Sequence, residues 1–520
     1  MCASCGNAAE RPANVVVFLV DDLGWRDLGC YGSTFYDTPH ADRLAKQGVQ
    51  FTDAYAACHV CSPTRASIMT GKYPARLGLT DWLPGRKDFP FQRLKNAPVI
   101  QQLPLEEVTL AEAFRSHGYA TGHFGKWHLG EDPAGPLQQG FDVQAPRWNK
   151  GWPRAGYHAP FQLEGIADHP GDYLTDRLTD EALAFIDRHQ QRPFFLYLSH
   201  FAVHDPIQGH PKLLDKYRER LAERRSVGPP SQATLEKAGP IANPFRLEGN
   251  PDDASPFSRD ALDALLDDDP YRAFKVLPGR TVKIKQRQDN VEFAAMVESM
   301  DESLGRVLAK LDELGLDDDT IVVFCSDNGG MAAANFGRPT RVVPSDRLDT
   351  AYSTSNLPLR GAKGWLYEGG IRVPLIVKWP GKGSAGAVSQ LPVISCDLYP
   401  TLLEMAGLPA MPKQALDGVS FAAAVKGESA ATRPLYWHFP HYSNHGMQSP
   451  GGAVRSGDYK LLEYFENGTV QLFHLGNDLA EQRDLAQQEP EKARELRQLL
   501  HNWREEVGAR MMAPNPEFMP

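Results

Sequence analysis

The stretch NVVVFLVDDLG, residues 14–24, joins an unbroken apolar run to a pair of carboxylates. Its apolar part, Val15–Val20, is rich in β-branched and aromatic side chains, which is typical of a strand buried on both faces. Three further runs share this character, and segments with helical spacing of apolar residues lie between them. The further runs are Phe194–Leu198, Ile321–Phe324 and Leu375–Val377, and the helical segments include Thr175–Phe185 and Met300–Leu311. Strands that alternate with helices predict a doubly wound α/β sheet.

Polar side chains follow three of these runs directly. The first run is followed by Asp21 and Asp22, the second by Ser199, His200, His204 and Asp205, and the third by Ser326, Asp327 and Asn328. Ligands of open α/β sheets bind outside the carboxyl ends of the strands. A single active site at one sheet edge accounts for all three groups, whereas ordinary polar turns would account for them only one at a time.

The composition is that of an ordinary globular chain. Its 520 residues are 42% hydrophobic and 23% charged, which excludes wholesale disorder. The 55 basic and 65 acidic residues leave a net charge of −10. This balance argues against nucleic acid or an anionic membrane as the main partner, although it is compatible with a local basic pocket. No apolar run approaches the roughly 18 residues that span a membrane.

The seven cysteines are too sparse for a disulfide scaffold. The sequence contains two C-x-x-C pairs, Cys2/Cys5 and Cys58/Cys61. Each pair is compatible with a redox-active dithiol, and the four cysteines together are compatible with a four-thiolate zinc site. The first residues lack the apolar segment of a signal peptide. We expect a periplasmic or secreted protein whose export signal has been removed. Attachment to the membrane through a lipid-anchored cysteine is one version of this expectation. A short tail on a cytoplasmic protein fits this composition equally well.

The segment CSPTRASIMTG, residues 61–71, resembles the signature of the type I sulfatases, C-x-P-x-R followed by A-S-x-x-T-G. The resemblance implies that Cys61 is oxidised to formylglycine by a formylglycine-generating enzyme. Locally, Ser62 is a suitable N-cap and Pro63 a suitable first helical residue. Residue 61 would then face the positive end of a helix, with the Arg65 guanidinium one turn on. Neither a redox pair nor a zinc site needs these following residues.

The same resemblance extends over most of the chain and implies the alkaline-phosphatase-like fold, a large mixed β-sheet between layers of helices. By this match, residue 61 joins the oxygen ligands Asp21, Asp22, Asp327 and Asn328 at one metal ion. Carboxylate and amide oxygens suit Ca²⁺ better than Zn²⁺ or Cu²⁺. Taken alone, each of these short acidic sequences is more often a solvated turn.

Further segments match family motifs that surround the sulfate. Lys126 and His128 lie in GKWHLG, His204 lies in AVHDP, and Lys363 lies in RGAKG. The resemblance implies that the two lysines bind sulfate, that His128 contacts the formylglycine, and that His204 protonates the leaving oxygen. His200 lies close to His204, and we predict a structural role for it.

The resemblance predicts a hydrolase of sulfate esters, and nearby aromatic and basic residues favour a sugar substrate. Trp82 is placed to stack on a pyranose, and Arg86, Arg154 and His158 are candidate substrate contacts. We therefore expect an exo-acting sulfatase of galactose or N-acetylgalactosamine units. The alternatives are an aryl sulfatase, a phosphonate or phosphate ester hydrolase of the same superfamily, and a non-catalytic anion-binding protein with an unmodified Cys61. A packed tryptophan and a solvated arginine are the simpler interpretation of Trp82 and Arg86.

Changes in composition and in the spacing of apolar residues along the chain predict its domain organisation. Residues 1–13 form an N-terminal tail, residues 14–425 the catalytic α/β domain, and residues 426–520 a smaller C-terminal α+β subdomain. The aperiodic, Pro- and Gly-rich stretch 206–290 predicts an irregular insertion with short helices. Short alternating segments after residue 433 predict an antiparallel meander, and the spacing in Glu491–Val507 predicts a final helix.

Overall fold

The computed structural model describes most of the chain. The described residues are 12–88, 92–226, 245–248, 282–285, 287–333, 352–412, 414–443, 445 and 448–518. The cysteines Cys2 and Cys5 and most of the predicted insertion lie outside them. Within the insertion, the described parts are one helix and two short strands.

The elements of the described residues are numbered here in chain order. The helices are α1 (Pro39–Gln47), α2 (Cys61–Thr70), α3 (Pro74–Leu77), α4 (Leu110–Ser116), α5 (Leu174–His189), α6 (Leu214–Ser226), α7 (Val291–Glu313), α8 (Glu368–Ile371), α9 (Leu398–Met405), α10 (Ala422–Val425) and α11 (Pro490–Glu506). The first nine strands are β1 (Asn14–Val20), β2 (Val49–Phe51), β3 (Ala54–Tyr55), β4 (Leu94–Lys95), β5 (Ala120–Gly125), β6 (Val143–Ala145), β7 (Phe194–Ser199), β8 (Phe245–Glu248) and β9 (Val282–Lys285). The remaining strands are β10 (Thr320–Ser326), β11 (Leu375–Lys378), β12 (Val388–Ser389), β13 (Val393–Ile394), β14 (Leu435–Phe439), β15 (Gly451–Ser456), β16 (Tyr459–Tyr464), β17 (Val470–His474) and β18 (Ala513–Pro514).

Eight strands form a large mixed sheet in the order β12-β2-β11-β10-β1-β7-β5-β6. The strands β10, β1, β7, β5 and β6 run parallel, whereas β11 is antiparallel to both β10 and β2. The apolar run in β11 therefore belongs to the sheet as predicted, but its antiparallel direction differs from the all-parallel order of a doubly wound sheet.

Strand β1 is buried along its whole length because helices cover both faces of the sheet. Alternate side chains enter different cores: Val16 and Phe18 pack with α5 and α7, whereas Val15 and Val17 pack with α2, α4 and α9. Successive strand residues point to opposite faces. A continuous apolar run is thus the sequence signature of this position.

The parallel register brings the predicted polar clusters to one edge. Val20 is level with Ser326 of β10, and Leu19 is level with Ser199 of β7, which is in turn level with Gly125 of β5. The residues that follow these four strands therefore meet outside their carboxyl ends, as expected for this class of sheet.

The C-terminal region contains a four-stranded antiparallel meander, β14-β15-β16-β17, covered by α11. Leu496, Leu500 and Trp503 of that helix share a core with the meander and with Tyr55 and Trp365 of the preceding region. Strand β18 pairs with β4 near the start of the chain. The predicted meander and final helix are confirmed, while the boundary at residues 425 and 426 stays a prediction.

The structure extends two of the predicted helices and shifts the third by one residue. The segments predicted from Thr175–Phe185 and Met300–Leu311 lie inside α5 and α7, and the final helix is shifted by one residue from the predicted Glu491–Val507. None of the helices in the described part of the chain is long and apolar enough to cross a membrane.

Candidate active site

Helix α2 carries the cysteine of the signature at its first position. The N-cap residue is Val60, and no side chain caps the helix. The predicted N-cap role of Ser62 is therefore wrong: its hydroxyl accepts a hydrogen bond from the Leu83 N–H at 3.2 Å. Pro63 is tolerated in the first turn because an N–H there has no partner within the helix. Cys61 still lies at the positive end of a buried helix, as expected.

The Cys61 thiol contacts a histidine from another element. Its Sγ lies 3.2 Å from Nδ1 of His128, whose Nε2 lies 2.7 Å from the Leu83 carbonyl oxygen. That carbonyl fixes the imidazole, because Nε2 must carry the proton to donate to it, which leaves Nδ1 as the acceptor. The segment that carries His128 begins at Gly125, whose φ of 110° and close approach to the Ser199 carbonyl exclude a side chain.

Three carboxylates and one amide lie together at the strand ends. The Asp22 N–H donates to Asp327 Oδ1 at 3.2 Å, and Asn328 Nδ2 donates to Asp22 Oδ1 at 2.8 Å. Asp21, Asp22, Asp327 and Asn328 are all at most 1% exposed. The structure thus brings together residues that are about 300 positions apart in the sequence.

A cation accompanies each carboxylate. Lys126 Nζ lies 2.6 Å from Asp21 Oδ2, and Lys363 Nζ lies 2.7 Å from Asp22 Oδ1. Arg65 binds Asp327 through two nitrogens, at 2.8 Å from Nε and 2.7 Å from an η-nitrogen. Six charges are therefore held in a nearly water-free space, where each ion needs its partner.

His204 faces this group from the segment after β7. Its Nε2 lies 3.7 Å from Asp22 Oδ2, and its Nδ1 lies 2.9 Å from Asp205 Oδ1. Burial and the charge of Lys363 lower the pKa of His204, but Asp22, Asp21 and Asp205 outweigh them and raise it to about 9. His200 points elsewhere and meets the Ser303 hydroxyl at 2.9 Å.

The remaining groups differ in the direction of their pKa. Burial, reinforced by Asp327, raises the pKa of Asp21 above its usual range. Burial also acts on Asp22, but Lys363 and His204 prevail, so that its pKa lies below the usual range. Burial and Lys126 hold the pKa of His128 well below its ordinary value, so its imidazole is neutral.

Two oxygens of the acidic group fit a metal ligand role. Among the described residues, Asp21 Oδ1 and Asn328 Oδ1 are buried and have no hydrogen-bond partner. Ligand atoms of Asp21, Asp22 and His204 lie within 4.8 Å of one another. A buried oxygen without a partner is costly unless a ligand satisfies it. Hard oxygen donors of this kind suit a divalent cation such as Ca²⁺ or Mg²⁺.

Two residues of the candidate site have an unusual backbone conformation. Asp22 and His128 adopt positive φ angles of 61° and 58°, in the left-handed region that residues with a side chain avoid. Such conformations persist where the surrounding structure imposes them, and they cluster at functional sites.

The predicted substrate contacts divide into two pairs. Trp82 and Arg86 belong to the loop that carries the Leu83 carbonyl, close to Cys61. The Trp82 ring packs against Cys58, Val60 and Phe439, which matches the simpler interpretation of a packed tryptophan. The guanidinium of Arg86 reaches the Ser443 carbonyl oxygen at 3.5 Å.

The second pair, Arg154 and His158, is exposed. Arg154 lies 5.6 Å from the ring centre of Trp148, in a loop whose Gly151 backbone rests on the His128 ring. His158 instead packs on Tyr173, and the charges that act on it come from Glu292 and His210. The loop of Arg154 thus borders the site, while the side chain of His158 is directed to other partners.

Two residues of the site, Ser199 and Asp205, were expected at this sheet edge but had no predicted role. The Ser199 hydroxyl accepts from Arg65 and donates to the Lys126 carbonyl at 2.9 Å. Asp205 orients His204, and its position directly after that histidine was the available signal. Nothing in the sequence distinguishes Ser199 from any other serine at the end of a strand.

Cys58 does not behave as the partner of a redox pair. Both Cys58 and Cys61 are free thiols in the described structure. Burial raises the pKa of Cys58 far above its usual value, so it is no reactive thiolate. The redox interpretation of this C-x-x-C pair loses its support.

Comparisons with known proteins identify the family. A family profile described as "Sulfatase" matches residues 13–408, and one described as "N-sulphoglucosamine sulphohydrolase, C-terminal" matches residues 362–507. Arylsulfatase A of Homo sapiens is 30% identical over 481 residues, which cover 90% of this chain and 78% of that protein. N-acetylgalactosamine-6-sulfatase of Canis lupus familiaris is 29% identical over 490 residues, which cover 90% of this chain and 75% of that protein.

A solved structure shows the same architecture. It is described as "Crystal structure of Ps i-CgsB in complex with k-i-k-neocarrahexaose" and aligns with a TM-score of 0.68 at 26% identity. The alignment covers 95% of this chain and 93% of that one. The comparisons confirm the predicted family, its alkaline-phosphatase-like fold class and the predicted sulfatase activity.

Proposed function

Because this chain belongs to the sulfatase family, we propose that it is an exo-acting carbohydrate sulfatase that cleaves sulfate esters of galactose or N-acetylgalactosamine units. We further propose that it acts through a formylglycine made from Cys61 and a bound Ca²⁺. The relative named N-acetylgalactosamine-6-sulfatase supports the sugar class. The relative named arylsulfatase A makes an aryl sulfate the second candidate.

The observation that carries this proposal is the contact between Cys61 and His128 beside three buried cations. Arg65, Lys126 and Lys363 lie next to a nucleophile position at a helix N-terminus, all at most 1% exposed. This arrangement suits a tetrahedral anion whose charge increases in the transition state.

Two groups absent from the chain itself would supply the reactive chemistry. When bound, Ca²⁺ would supply positive charge for the sulfate oxygens, and the hydrated aldehyde at position 61 would supply the attacking hydroxyl. Asp21, Asp22, Asp327 and Asn328 would hold the metal through oxygens that are already buried and clustered.

The chain's own residues would move the protons. His204, whose pKa is raised to about 9, is protonated at neutral pH and would give its proton to the ester oxygen as the sulfur–oxygen bond breaks. His128 is neutral and would accept a proton at Nδ1, because its Nε2 donates to the Leu83 carbonyl. Lys126 and Lys363 would bind the sulfate oxygens.

Mass spectrometry tests the modification directly. Trypsin should release residues 47–65 as one peptide ending at Arg65. Conversion of the Cys61 CH₂SH group to an aldehyde removes sulfur and two hydrogens and adds oxygen, so the peptide loses mass. The same peptide contains Cys58, which alkylation should still label. Labelling of both cysteines in an active preparation would contradict the formylglycine mechanism.

A substrate panel tests the reaction class and the sugar. The panel contains p-nitrophenyl sulfate, phosphate and phosphonate, with the 4- and 6-sulfates of galactose and N-acetylgalactosamine. We expect sulfate turnover to exceed phosphate and phosphonate turnover, and at least one sugar sulfate to be hydrolysed. Activity confined to p-nitrophenyl sulfate would select the aryl sulfatase alternative. Binding of sulfate without any turnover, by protein whose Cys61 is still a thiol after production with a formylglycine-generating enzyme, would select the anion-binding alternative.

Location in the cell belongs to the same proposal. We propose export to the periplasm or the exterior, where sulfated glycans are met as substrates. Fractionation of cells that produce the full-length protein tests this, with a cytoplasmic enzyme as the reference.

A further inference from the structure

His445 comes from the segment between β14 and β15 of the C-terminal region, yet it packs beside the sulfate-binding lysine. It follows Lys363 by 82 positions and belongs to none of the sequence motifs. A methyl group built on Gly364 would lie 2.0 Å from the His445 carbonyl oxygen and 2.5 Å from its Cβ. Gly364, with a φ of 88°, therefore lets the two segments touch directly beside Lys363.

The described residues that precede His445 hold its backbone in place. Ser443 Oγ accepts from the His445 N–H at 3.1 Å and donates to the His445 carbonyl at 2.7 Å. His441 Nε2 lies 2.8 Å from the Thr80 hydroxyl, in the loop that carries the Leu83 carbonyl. The backbone of His445 is thus held by Ser443, and the nearby His441 contacts the loop that borders Cys61.

The ring of His445 has hydrogen-bonding capacity that the described protein does not use. The residue is 6% exposed, and its Nδ1 is buried without a hydrogen-bond partner among the described residues. Leaving such an atom unpaired costs about 1–3 kcal/mol unless a ligand or water completes it. The neighbouring charges are those of Lys363, Asp22, His204 and Asp205, all of the active site.

The ring is suited to an uncharged partner. Burial, together with Lys363, holds the pKa of His445 well below its ordinary value, so the imidazole is neutral beside the cations. Lys363 faces Asp22 across 2.7 Å and is the group that would hold the sulfate. A neutral imidazole next to it offers a donor and an acceptor to a hydroxyl or an amide rather than to a second anion.

We propose that His445 determines substrate specificity by hydrogen-bonding the uncharged part of the sulfated sugar, at the hydroxyl or N-acetyl group nearest the ester. This inference rests on the proposed carbohydrate sulfatase function. It assigns recognition of the sugar to the C-terminal region, whereas the sulfate is held by the strand ends of the large sheet. A sulfate ester without neighbouring hydroxyl groups should gain little from this residue.

The test compares three variants with the wild type on two kinds of substrate. His445→Leu keeps an apolar volume without hydrogen-bonding atoms, and His445→Asn keeps a polar group near the position of Nδ1. The matched control is His438→Leu, because His438 is also buried, also has a Nδ1 without a partner in the described residues, and lies in β14. The substrates are p-nitrophenyl sulfate and the best sugar sulfate of the panel.

For the sugar sulfate we expect His445→Leu to lower kcat/KM about 10- to 100-fold, mainly through KM, as for the loss of one buried hydrogen bond. Turnover of p-nitrophenyl sulfate should change less than about 3-fold. His445→Asn should recover most of the loss, and His438→Leu should leave the ratio between the two substrates unchanged. Thermal unfolding is followed for each variant, and His445→Ala replaces the leucine variant if that variant does not fold.

The outcomes separate the two proposals. If the wild type hydrolyses only p-nitrophenyl sulfate, the carbohydrate function is wrong and the inference falls with it. If the wild type hydrolyses the sugar sulfate but the His445 variants lose equally on both substrates, or on neither, the inference alone is overturned. A selective loss on the sugar that asparagine restores supports it.

Discussion

Two buried clusters in this protein have the same inventory of three carboxylates and three cations, yet they differ in how completely they are paired. The catalytic cluster consists of Asp21, Asp22, Asp327, Arg65, Lys126 and Lys363. The inter-sheet cluster consists of Asp53, Glu368, Glu481, Arg372, Arg455 and Lys460, and it joins α8 and the end of β2 to β15 and β16.

In the inter-sheet cluster, each charged group contacts an oppositely charged group of the same cluster. Lys460 Nζ lies 2.8 Å from Glu368 and 2.9 Å from Glu481, and the Tyr55 hydroxyl donates to Glu368 at 2.8 Å. Burial raises the pKa of Glu368, but Lys460 and Arg372 lower it more, to about 2. Glu481 is the exception, because burial and Glu368 raise its pKa to about 7 and its backbone has a φ of 50°.

The catalytic cluster is left open at one side. Asp21 Oδ1 and Asn328 Oδ1 have no hydrogen-bond partner in the described residues, and Asp22 has a left-handed backbone. Burial and Asp327 raise the pKa of Asp21, as burial and Glu368 raise that of Glu481 in the inter-sheet cluster. Left-handed backbone and a raised pKa therefore occur in both clusters. The catalytic cluster differs in the pairing of its oxygens, since Asp21 Oδ1 lies 3.7 Å from Arg65 whereas Glu481 Oε1 lies 2.9 Å from Lys460, and in its place at the strand ends beside Cys61 and His128.

The largest expected effect is the loss of the nucleophile position. Cys61→Ala should lower kcat for the best sulfate ester at least about 1,000-fold, because no attacking group can form there. The melting temperature should change little, since the side chain is small. Cys58→Ala is the control, because it removes a neighbouring buried thiol that does not contact His128. Turnover undiminished in Cys61→Ala would show that the catalytic cluster is not the site of the reaction.

Replacing one buried lysine by methionine should have different effects in the two clusters. Lys363→Met should lower kcat/KM about 100- to 1,000-fold, because a cation facing the transition-state charge is lost. Lys460→Met should lower the free energy of unfolding by about 3–5 kcal/mol, because Glu368 and Glu481 are left buried without their shared partner. Activity per folded molecule should survive in Lys460→Met.

Urea unfolding and assays at low temperature measure both variants. The distinction between the clusters fails if Lys363→Met loses more stability than activity, or if Lys460→Met inactivates the folded enzyme.

Removal of divalent cations should affect only the open cluster. Chelation should abolish activity and lower the free energy of unfolding, since Ca²⁺ at about 100 times its Kd contributes about 2.7 kcal/mol. Added Ca²⁺ should restore both quantities. Lys460→Met should retain this dependence, whereas Asp21→Asn should lose it. A melting temperature indifferent to Ca²⁺ in the wild type would contradict the assignment of the metal ligands.

The smallest expected effects come from removing one hydroxyl from each cluster. Tyr55→Phe should cost about 1–3 kcal/mol of stability and leave kcat/KM unchanged, because Glu368 loses one of its donors. Ser199→Ala should lower kcat/KM about 10-fold, because Arg65 and the Lys126 carbonyl both lose a partner. The comparison predicts this division between stability and activity, and equal losses in both variants would count against it.

Much of the fold followed from short-range patterns. Runs such as Val15–Val20 predict buried strands because helices cover both faces, and the spacing in α5 and α7 predicts their buried sides. The antiparallel direction of β11 did not follow, because direction depends on the connection and not on the composition of a strand.

The candidate site was predicted unevenly. Residues within recognisable motifs, such as Cys61, Lys126 and Lys363, lie together in the structure as expected. Ser62 was assigned the wrong local role, and the side chain of His158 turns to Tyr173 instead of the site. The roles of Ser199 and Asp205 were not predicted, since they arise from the groups these residues face.

By itself, the sequence determined the family, the nucleophile position and the polar residues at three strand ends. These features are local: a helix start, a buried run, or a motif within a dozen residues. Only the tertiary structure decided that Lys363 faces Asp22 across 341 positions, that Asp21 and Asn328 each keep one oxygen without a hydrogen-bond partner in the described part of the chain, and that His445 reaches the site from the C-terminal region. The physical reason is that local patterns record which face of an element is buried, whereas the pairing of buried charges is set by the packing of segments that are distant in the chain.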